Sequence, residues 1–96
     1  MKVFAIASFK PNVTADQVRK RLPDEVPATL KLYLEGKIEQ FWFREGAGPI
    51  FLLNIESVEK AKATLNALPL VAEDLLAYEL LPVTTLSPLG LLIQGK

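Results

Sequence analysis

The chain has 96 residues, which suits one domain, and its eleven Lys and Arg balance its eleven Asp and Glu. Half of the residues are hydrophobic, which excludes a disordered chain, and the balanced charge gives no reason to expect a nucleic-acid or anionic-membrane partner. Cys and His are absent, which excludes disulfides, thiol nucleophiles, imidazole bases and the usual zinc ligands. We therefore expect a single domain over residues 1–96, which the order of its predicted strands and helices makes α+β.

The beginning of the chain and its longest uncharged stretch bear on membrane association. The chain reaches Lys10 and Asp16 without a signal-peptide cleavage pattern. Residues 80–95 are uncharged, but two prolines and Gly90 interrupt them, and a membrane-spanning helix needs about 20 residues. These features predict a cytoplasmic protein with no membrane segment.

Residues 2–9 mix β-branched and aromatic side chains and end at Pro11, which predicts a buried first strand. Thr14 and Gln17 have the spacing of a capping box, so the first helix is predicted to begin there. Apolar residues then recur at helical intervals.

Two prolines lie inside this helical pattern. Pro23 and Pro27 lack an amide donor and crowd the carbonyl four residues earlier, so the helix is predicted to break or kink near Leu22. It is predicted to restart with Asp24 and Glu25 in its new first turn. Gly36 suits the left-handed position that ends a helix.

The second half of the chain predicts two strands, a helix and a last strand. Ser57 caps the helix and Pro69 stops it. The apolar tail, residues 84–96, is predicted to dock on an edge strand or on a partner. The predicted strands are Ile38–Glu45 and Ile50–Glu56, joined by the turn Gly46–Pro49, and Leu75–Val83.

The order β-α-β-β-α-β is the ferredoxin-like arrangement, a four-stranded antiparallel sheet with two helices on one face. Both sides of the predicted strands are apolar. In the first strand, Val3 and Ala5 lie on one side, and Phe4 and Ile6 lie on the other. Because the helices cover only one face, the other is predicted to pair with a second sheet, most simply in a homodimer.

Three segments carry a resemblance to a known family. These are residues 34–42, with a Glu-Gly at the helix end and Trp42 in the next strand, residues 55–59, and residues 65–70, which contain Leu-Pro-Leu. Together they resemble the muconolactone delta-isomerase-like family over about residues 33–82. The resemblance implies ferredoxin-like chains whose sheets pair face to face in a dimeric α/β barrel, and such dimers sometimes assemble further into larger rings.

The resemblance also implies a reaction, in which a double bond moves in an unsaturated lactone by proton transfer next to a carbonyl. Such a step needs a base, a donor for the developing enolate oxygen and walls that exclude water, and in principle no cofactor. Glu25 and Glu39 are the candidate catalytic bases. The structural alternatives are a helix first turn for Glu25 and a solvated strand end for Glu39.

Gln40, Trp42 and Arg44 alternate along one strand, so they are predicted to point to one face and to bind a small planar anion. Trp42 also suits a core position. Asn54 joins this cluster only if the register of the following strand allows it.

Two functions remain open. The first is a homodimeric, cofactor-independent isomerase that binds a small hydrophobic acid or lactone between sheet and helices. The second is a non-catalytic module of the same fold that binds a small ligand or serves assembly. A haem-degrading relative of the barrel is disfavoured by the absence of His.

Overall fold

The computed structural model describes residues 2–84, which contain four strands and three helices. The elements are β1 (Lys2–Phe9), α1 (Ala15–Leu34), β2 (Ile38–Arg44), β3 (Gly48–Asn54), α2 (Val58–Asn66), α3 (Pro69–Ala72) and β4 (Leu76–Val83). The predicted strands and the two long helices are present. The prediction for the tail falls on residues outside the described range, except for Thr84.

The four strands form one antiparallel sheet in the order β2-β3-β1-β4. The first strand pairs with β3 on one side and with β4 on the other, so β1 and β3 are central and β2 and β4 are edges. With three helices packed beside this sheet, the described residues form an α+β fold.

The first helix is continuous from Ala15 to Leu34, so the predicted break near Leu22 and restart at Asp24 are wrong. Pro23 and Pro27 are one helical turn apart and both are exposed. The carbonyls that lose their amide donors can therefore accept hydrogen bonds from water, and the helix continues. Its ends follow the prediction.

The start of α1 has the predicted capping box, in which the Thr14 hydroxyl accepts a hydrogen bond from the Gln17 amide at 3.2 Å. The Gln17 side chain accepts one from the Thr14 amide at 2.8 Å. At the other end, Gly36 has a φ of 80°, the left-handed value that glycine adopts without strain.

Pro69 has a different role from the one predicted. The second helix already ends at Asn66, and Pro69 begins the short helix α3. Proline suits the first position of a helix because its missing amide would have no intrahelical partner there. The residue before it, Leu68, supplies no side-chain cap.

The core lies between the helices and one face of the sheet. Val3, Ala5, Phe51 and Leu53 alternate along β1 and β3 and are almost fully buried. They pack against residues of α2, including Leu65, and against part of α1. We call this side of the sheet the helix face and the other side the open face.

Apolar side chains also occupy the open face, as the apolar residues on both sides of the predicted strands indicated. Phe4 and Ile6 of β1 and Ile50 and Leu52 of β3 are partly exposed there. The Trp42 ring lies on Phe4, with 6.2 Å between the ring centroids, and Trp42 is 45% exposed. No helix within residues 2–84 covers this face.

A β-bulge changes the side of the sheet to which the first residues of β2 point. The register shifts between Ile38 and Gln40, so that Ile38 pairs with Leu53 and Gln40 pairs with Leu52. Ile38 and Gln40 are two residues apart and would face the same side of a regular strand, but the bulge makes them face opposite sides of the sheet. Ile38 joins the core at 1% exposure, whereas simple alternation groups it with Trp42 on the other side.

No helix within the described residues is long and apolar enough to cross a membrane.

Candidate functional site

A groove runs between α1 and the edge of the sheet formed by β2 and β3. Its volume is about 420 Å³, which suits a small ligand. Leu22, Val26 and Leu30 line one wall at successive helical turns, and each is between 39% and 49% exposed. The facing walls and floor are also apolar, and they include Phe9, Phe41, Phe43, Pro49, Phe51 and Leu70.

Among the lining residues that the structure describes, Glu25 is the ionisable one, and it is almost fully buried at 6% exposure. One carboxylate oxygen, Oε1, accepts a hydrogen bond from the Leu70 amide at 2.9 Å. The other, Oε2, accepts one from the Thr29 hydroxyl at 3.3 Å. These two donors hold the carboxyl in place, one turn of α1 away from Thr29 and against the start of α3.

The buried position alters the acidity of Glu25. Burial in apolar surroundings raises the pKa of the Glu25 carboxyl, because the charged form loses hydration. The hydrogen bonds from Leu70 and Thr29 oppose this change, but burial has the larger effect. A carboxyl with a raised pKa in an apolar groove has the properties of a general acid or base.

Tyr78 of β4 lies near Glu25 inside the molecule. Its ring stacks on Phe51 with 5.5 Å between the centroids, and its hydroxyl is buried. Within residues 2–84, this hydroxyl has no hydrogen-bond partner. Burial, and then the charge of nearby Glu25, raise the pKa of the Tyr78 hydroxyl, so it stays protonated.

Glu39, the second predicted base, lies outside the groove. It forms an ion pair with Lys2, and both side chains are more than one-third exposed. Its surroundings are those of a solvated surface carboxylate, in agreement with the structural alternative for this residue.

The strand register places the backbone positions of Gln40, Trp42 and Arg44 on the open face, opposite Leu52, Ile50 and Gly48. Asn54 pairs with Lys2 and also lies on the open face. The register of β3, which the sequence left undecided, therefore brings Asn54 to the same face as Gln40, Trp42 and Arg44. Trp42 also borders the groove. The four predicted ligand-binding residues thus share a face, but Glu25 lies on the other side of the sheet.

The guanidinium group of Arg44 is engaged by the backbone. It donates hydrogen bonds to the carbonyls of Gly48 at 3.3 Å, Ala47 at 3.2 Å and Ala7. These acceptors satisfy most of its donors. In this structure Arg44 therefore holds the end of the β2–β3 hairpin.

The sequence prediction missed three contributors to the environment of Glu25, namely Thr29, the Leu70 amide and Tyr78. The Glu25–Thr29 spacing of four residues is a usable signal, because such pairs are neighbours on a helix. The contacts to Leu70 and Tyr78 join distant parts of the chain and leave no local pattern.

A second cavity, of about 410 Å³, lies beside α2 and β4. Its charged lining residues include Lys10, which pairs with Asp74 at 3.2 Å, and Lys62. Its lining within residues 2–84 contains no buried carboxyl, and so the groove that contains Glu25 is the stronger candidate for chemistry.

Comparison with known proteins finds no matching family model and no matching curated protein. Among solved structures, the chain is similar to At3g17210 from Arabidopsis thaliana, with 20% sequence identity and a TM-score of 0.37. The match covers 88% of this chain and 96% of that chain. The likeness concerns a small α/β chain and does not extend to activity or ligand.

Proposed function

We propose that the protein is a cofactor-independent isomerase, similar to the muconolactone delta-isomerase-like family, that acts on a small hydrophobic lactone or organic acid in the groove beside α1. The observation that carries the proposal is the buried carboxyl of Glu25 in an otherwise apolar groove. Two hydrogen bonds position it, and burial raises its pKa.

In the proposed reaction, the Glu25 carboxylate takes a proton from the substrate carbon next to a carbonyl. Electrons of the broken C–H bond move into an enolate, and the Glu25 carboxylic acid then returns the proton to another carbon of the same system. No atom is gained or lost. The apolar walls exclude water, which strengthens the electrostatic interactions within the groove. The Thr29 hydroxyl donates to Glu25 Oε2 in this structure, and once the carboxyl is protonated it can turn to donate to the enolate oxygen instead.

We further propose that the fold is ferredoxin-like and that two copies pair their open faces as a dimeric α/β barrel. The sheet order β2-β3-β1-β4, with the core on a single face, supports this arrangement. The apolar open face, with Ile6 and Ile50 partly exposed, supplies the surface that a second copy would cover.

Deuterium exchange tests the proton transfer without requiring the natural substrate. Unsaturated five-membered lactones are incubated with the protein in D2O, and loss of the ring protons next to the carbonyl is followed by NMR. We expect exchange above the buffer rate, reduced by about 100-fold or more in Glu25→Gln.

Glu39→Gln is the matched control, because this carboxylate is paired with Lys2 at the surface. We expect it to keep the wild-type exchange rate. Full exchange activity in Glu25→Gln would overturn the proposed role of Glu25.

The alternative is a non-catalytic module that binds a small ligand or serves assembly. The observation that favours it is the engagement of Arg44 with three backbone carbonyls, which leaves the predicted oxyanion partner occupied. Ligand-induced NMR shifts in the groove without any deuterium exchange would support this alternative and contradict the isomerase.

A further inference from the structure

Within residues 2–84, the groove beside α1 lacks the positively charged side chains that a site for an organic acid usually has. None of the fourteen residues that line it within the described range is Lys or Arg, and Glu25 is the one ionisable side chain among them. Thr29 adds a hydroxyl, and most of the remaining lining is aliphatic or aromatic. In the part of the chain that the structure describes, an anion in this groove would find no opposite charge in the lining, and Arg19 belongs to the adjoining cavity.

Three cations close to the groove walls along the chain have other partners, whereas Lys31, which follows the wall residue Leu30, lines a different cavity with Ala28 and Leu32. On α1, Arg19 pairs with Asp16 at 2.9 Å and Arg21 pairs with Glu73 at 3.3 Å. At the end of β2, Arg44 donates to backbone carbonyls. Recruiting one of these groups to a ligand would break the contact that it makes in this structure.

The two protonation states of Glu25 have the same consequence for an anionic ligand. When Glu25 is ionised, its negative charge repels a carboxylate in surroundings of low dielectric constant. When Glu25 is neutral, it offers a single hydrogen bond, which is too little to replace the hydration that a carboxylate loses on burial. A neutral carbonyl, by contrast, can accept that hydrogen bond at a small cost in hydration.

We propose that the groove selects neutral ligands, namely lactones, ketones or esters with an apolar body, over carboxylates of the same size. This inference rests on the proposed function and narrows its substrate class from acids and lactones to uncharged lactones. The carbonyl oxygen of the ligand accepts a hydrogen bond from the Glu25 carboxylic acid, or from a Thr29 hydroxyl that turns away from Glu25 Oε2. The apolar body lies against Phe41 and Phe51.

The test compares three ligands with the same ring system at neutral pH. Coumarin is a neutral lactone, coumarin-3-carboxylate carries a charge, and its methyl ester restores neutrality while keeping the added bulk. Affinities come from NMR titration of the labelled protein, in which shifts of Thr29 and Phe51 amides report binding in the groove. We expect coumarin and the ester to bind at least about tenfold more tightly than the carboxylate.

A positive charge added to the groove should remove most of this preference. Val26 lines the groove and is 49% exposed, so Val26→Lys places an ammonium group at the rim. We expect the carboxylate to gain about tenfold in affinity, while the ester changes little. Leu34→Lys is the matched control, because Leu34 is on the same helix, is 83% exposed and does not line the groove.

The outcomes separate this inference from the proposed function. Binding of the carboxylate in the groove as tightly as its ester would overturn the neutral selectivity and leave groove binding intact. If none of the three ligands shifts groove resonances, both the selectivity and the proposed small-molecule site are wrong. If Leu34→Lys gains carboxylate affinity as much as Val26→Lys, the effect of charge does not come from the groove, and the inference fails.

Discussion

Glu25 joins two helices that are far apart in sequence. The short helix α3 has no side-chain cap of its own, and its Leu70 amide donates instead to Glu25, which lies 45 residues earlier. The carboxyl thus stabilises the start of α3 as well as being the polar group of the groove. Glu25→Ala should cost about 1–2 kcal/mol of folding free energy, because a buried amide loses its acceptor. Glu25→Gln keeps an oxygen for that amide and should cost less.

The raised pKa of Glu25 predicts a dependence of stability on pH. The folded protein holds this proton more tightly than the unfolded chain, whose carboxyl has an ordinary pKa of 4.5. The resulting stabilisation is complete below that value and is lost as the pH rises through the raised pKa of the folded state. Urea denaturation over a series of pH values measures the difference between wild type and Glu25→Gln.

The groups that bear on this titration are the Leu70 amide and the Thr29 hydroxyl, which donate to Glu25, and Tyr78, whose pKa the Glu25 charge helps to raise. Glu56→Gln is the control, because Lys60 lowers the pKa of this exposed carboxyl. It should keep the wild-type loss of stability at rising pH. Identical pH profiles for wild type and Glu25→Gln would contradict the raised pKa.

The unpartnered hydroxyl of Tyr78 predicts the effect of its removal. Tyr78→Phe keeps the ring that stacks on Phe51 and removes a buried polar group without a partner in residues 2–84. Stability in urea should stay equal or rise by up to about 1 kcal/mol. A clear loss of stability would mean that the hydroxyl donates a hydrogen bond in the folded protein.

At the scale of elements, the two prolines inside α1 should lower the free energy of unfolding. Pro23→Ala or Pro27→Ala supplies an amide for a carbonyl of the preceding turn and should stabilise the protein by about 1–2 kcal/mol each. The gain is smaller than the intrinsic helix preference, because alanine leaves the unfolded chain more freedom. Urea denaturation measures the change.

Pro69→Ala is the control for these variants, because Pro69 occupies the first position of α3, where proline is well tolerated. It should change stability little. If Pro23→Ala and Pro69→Ala raised the stability equally, the position of a proline within its helix would not matter, and this explanation would be wrong.

The strands and helices of this chain are largely predictable, because alternation and capping residues are local signals. Thr14 and Ser57 begin their helices as predicted, and the apolar alternation of β1 matches its two faces. The unbroken α1 is not predictable in this way, since it depends on packing of Ala28 and Leu32 against the core. One extra residue at the bulge before Gln40 likewise leaves no clear local pattern.

The site is less predictable than the fold. Glu25 and Glu39 are equivalent as sequence candidates, and they are separated only by the tertiary structure, which buries one and exposes the other. The alternation of Gln40, Trp42 and Arg44 correctly indicates a shared face, but it cannot show that Arg44 is used by backbone carbonyls or that Glu25 lies across the sheet.

At the scale of the whole molecule, the apolar open face predicts the oligomeric state. If two copies pair their sheets, a charge at the centre of this face should separate them. Ile50→Glu should convert a dimer into a monomer, because a buried carboxylate without a partner is costly. Light scattering after size-exclusion chromatography measures the mass.

Leu34→Glu is the control, since Leu34 is exposed at the end of α1 and belongs to neither face of the sheet. It should keep the mass of the wild-type protein. A wild-type protein that is already monomeric at micromolar concentration would contradict the proposed barrel.

The contacts of Arg44 have a consequence for the order of folding. Its guanidinium bonds two carbonyls of its own hairpin, at Ala47 and Gly48, but its third acceptor, Ala7, belongs to β1. An isolated hairpin of residues 38–54 would therefore lack part of the network that closes its turn. We expect this hairpin to be unstructured as a peptide and to acquire protection from hydrogen exchange together with β1.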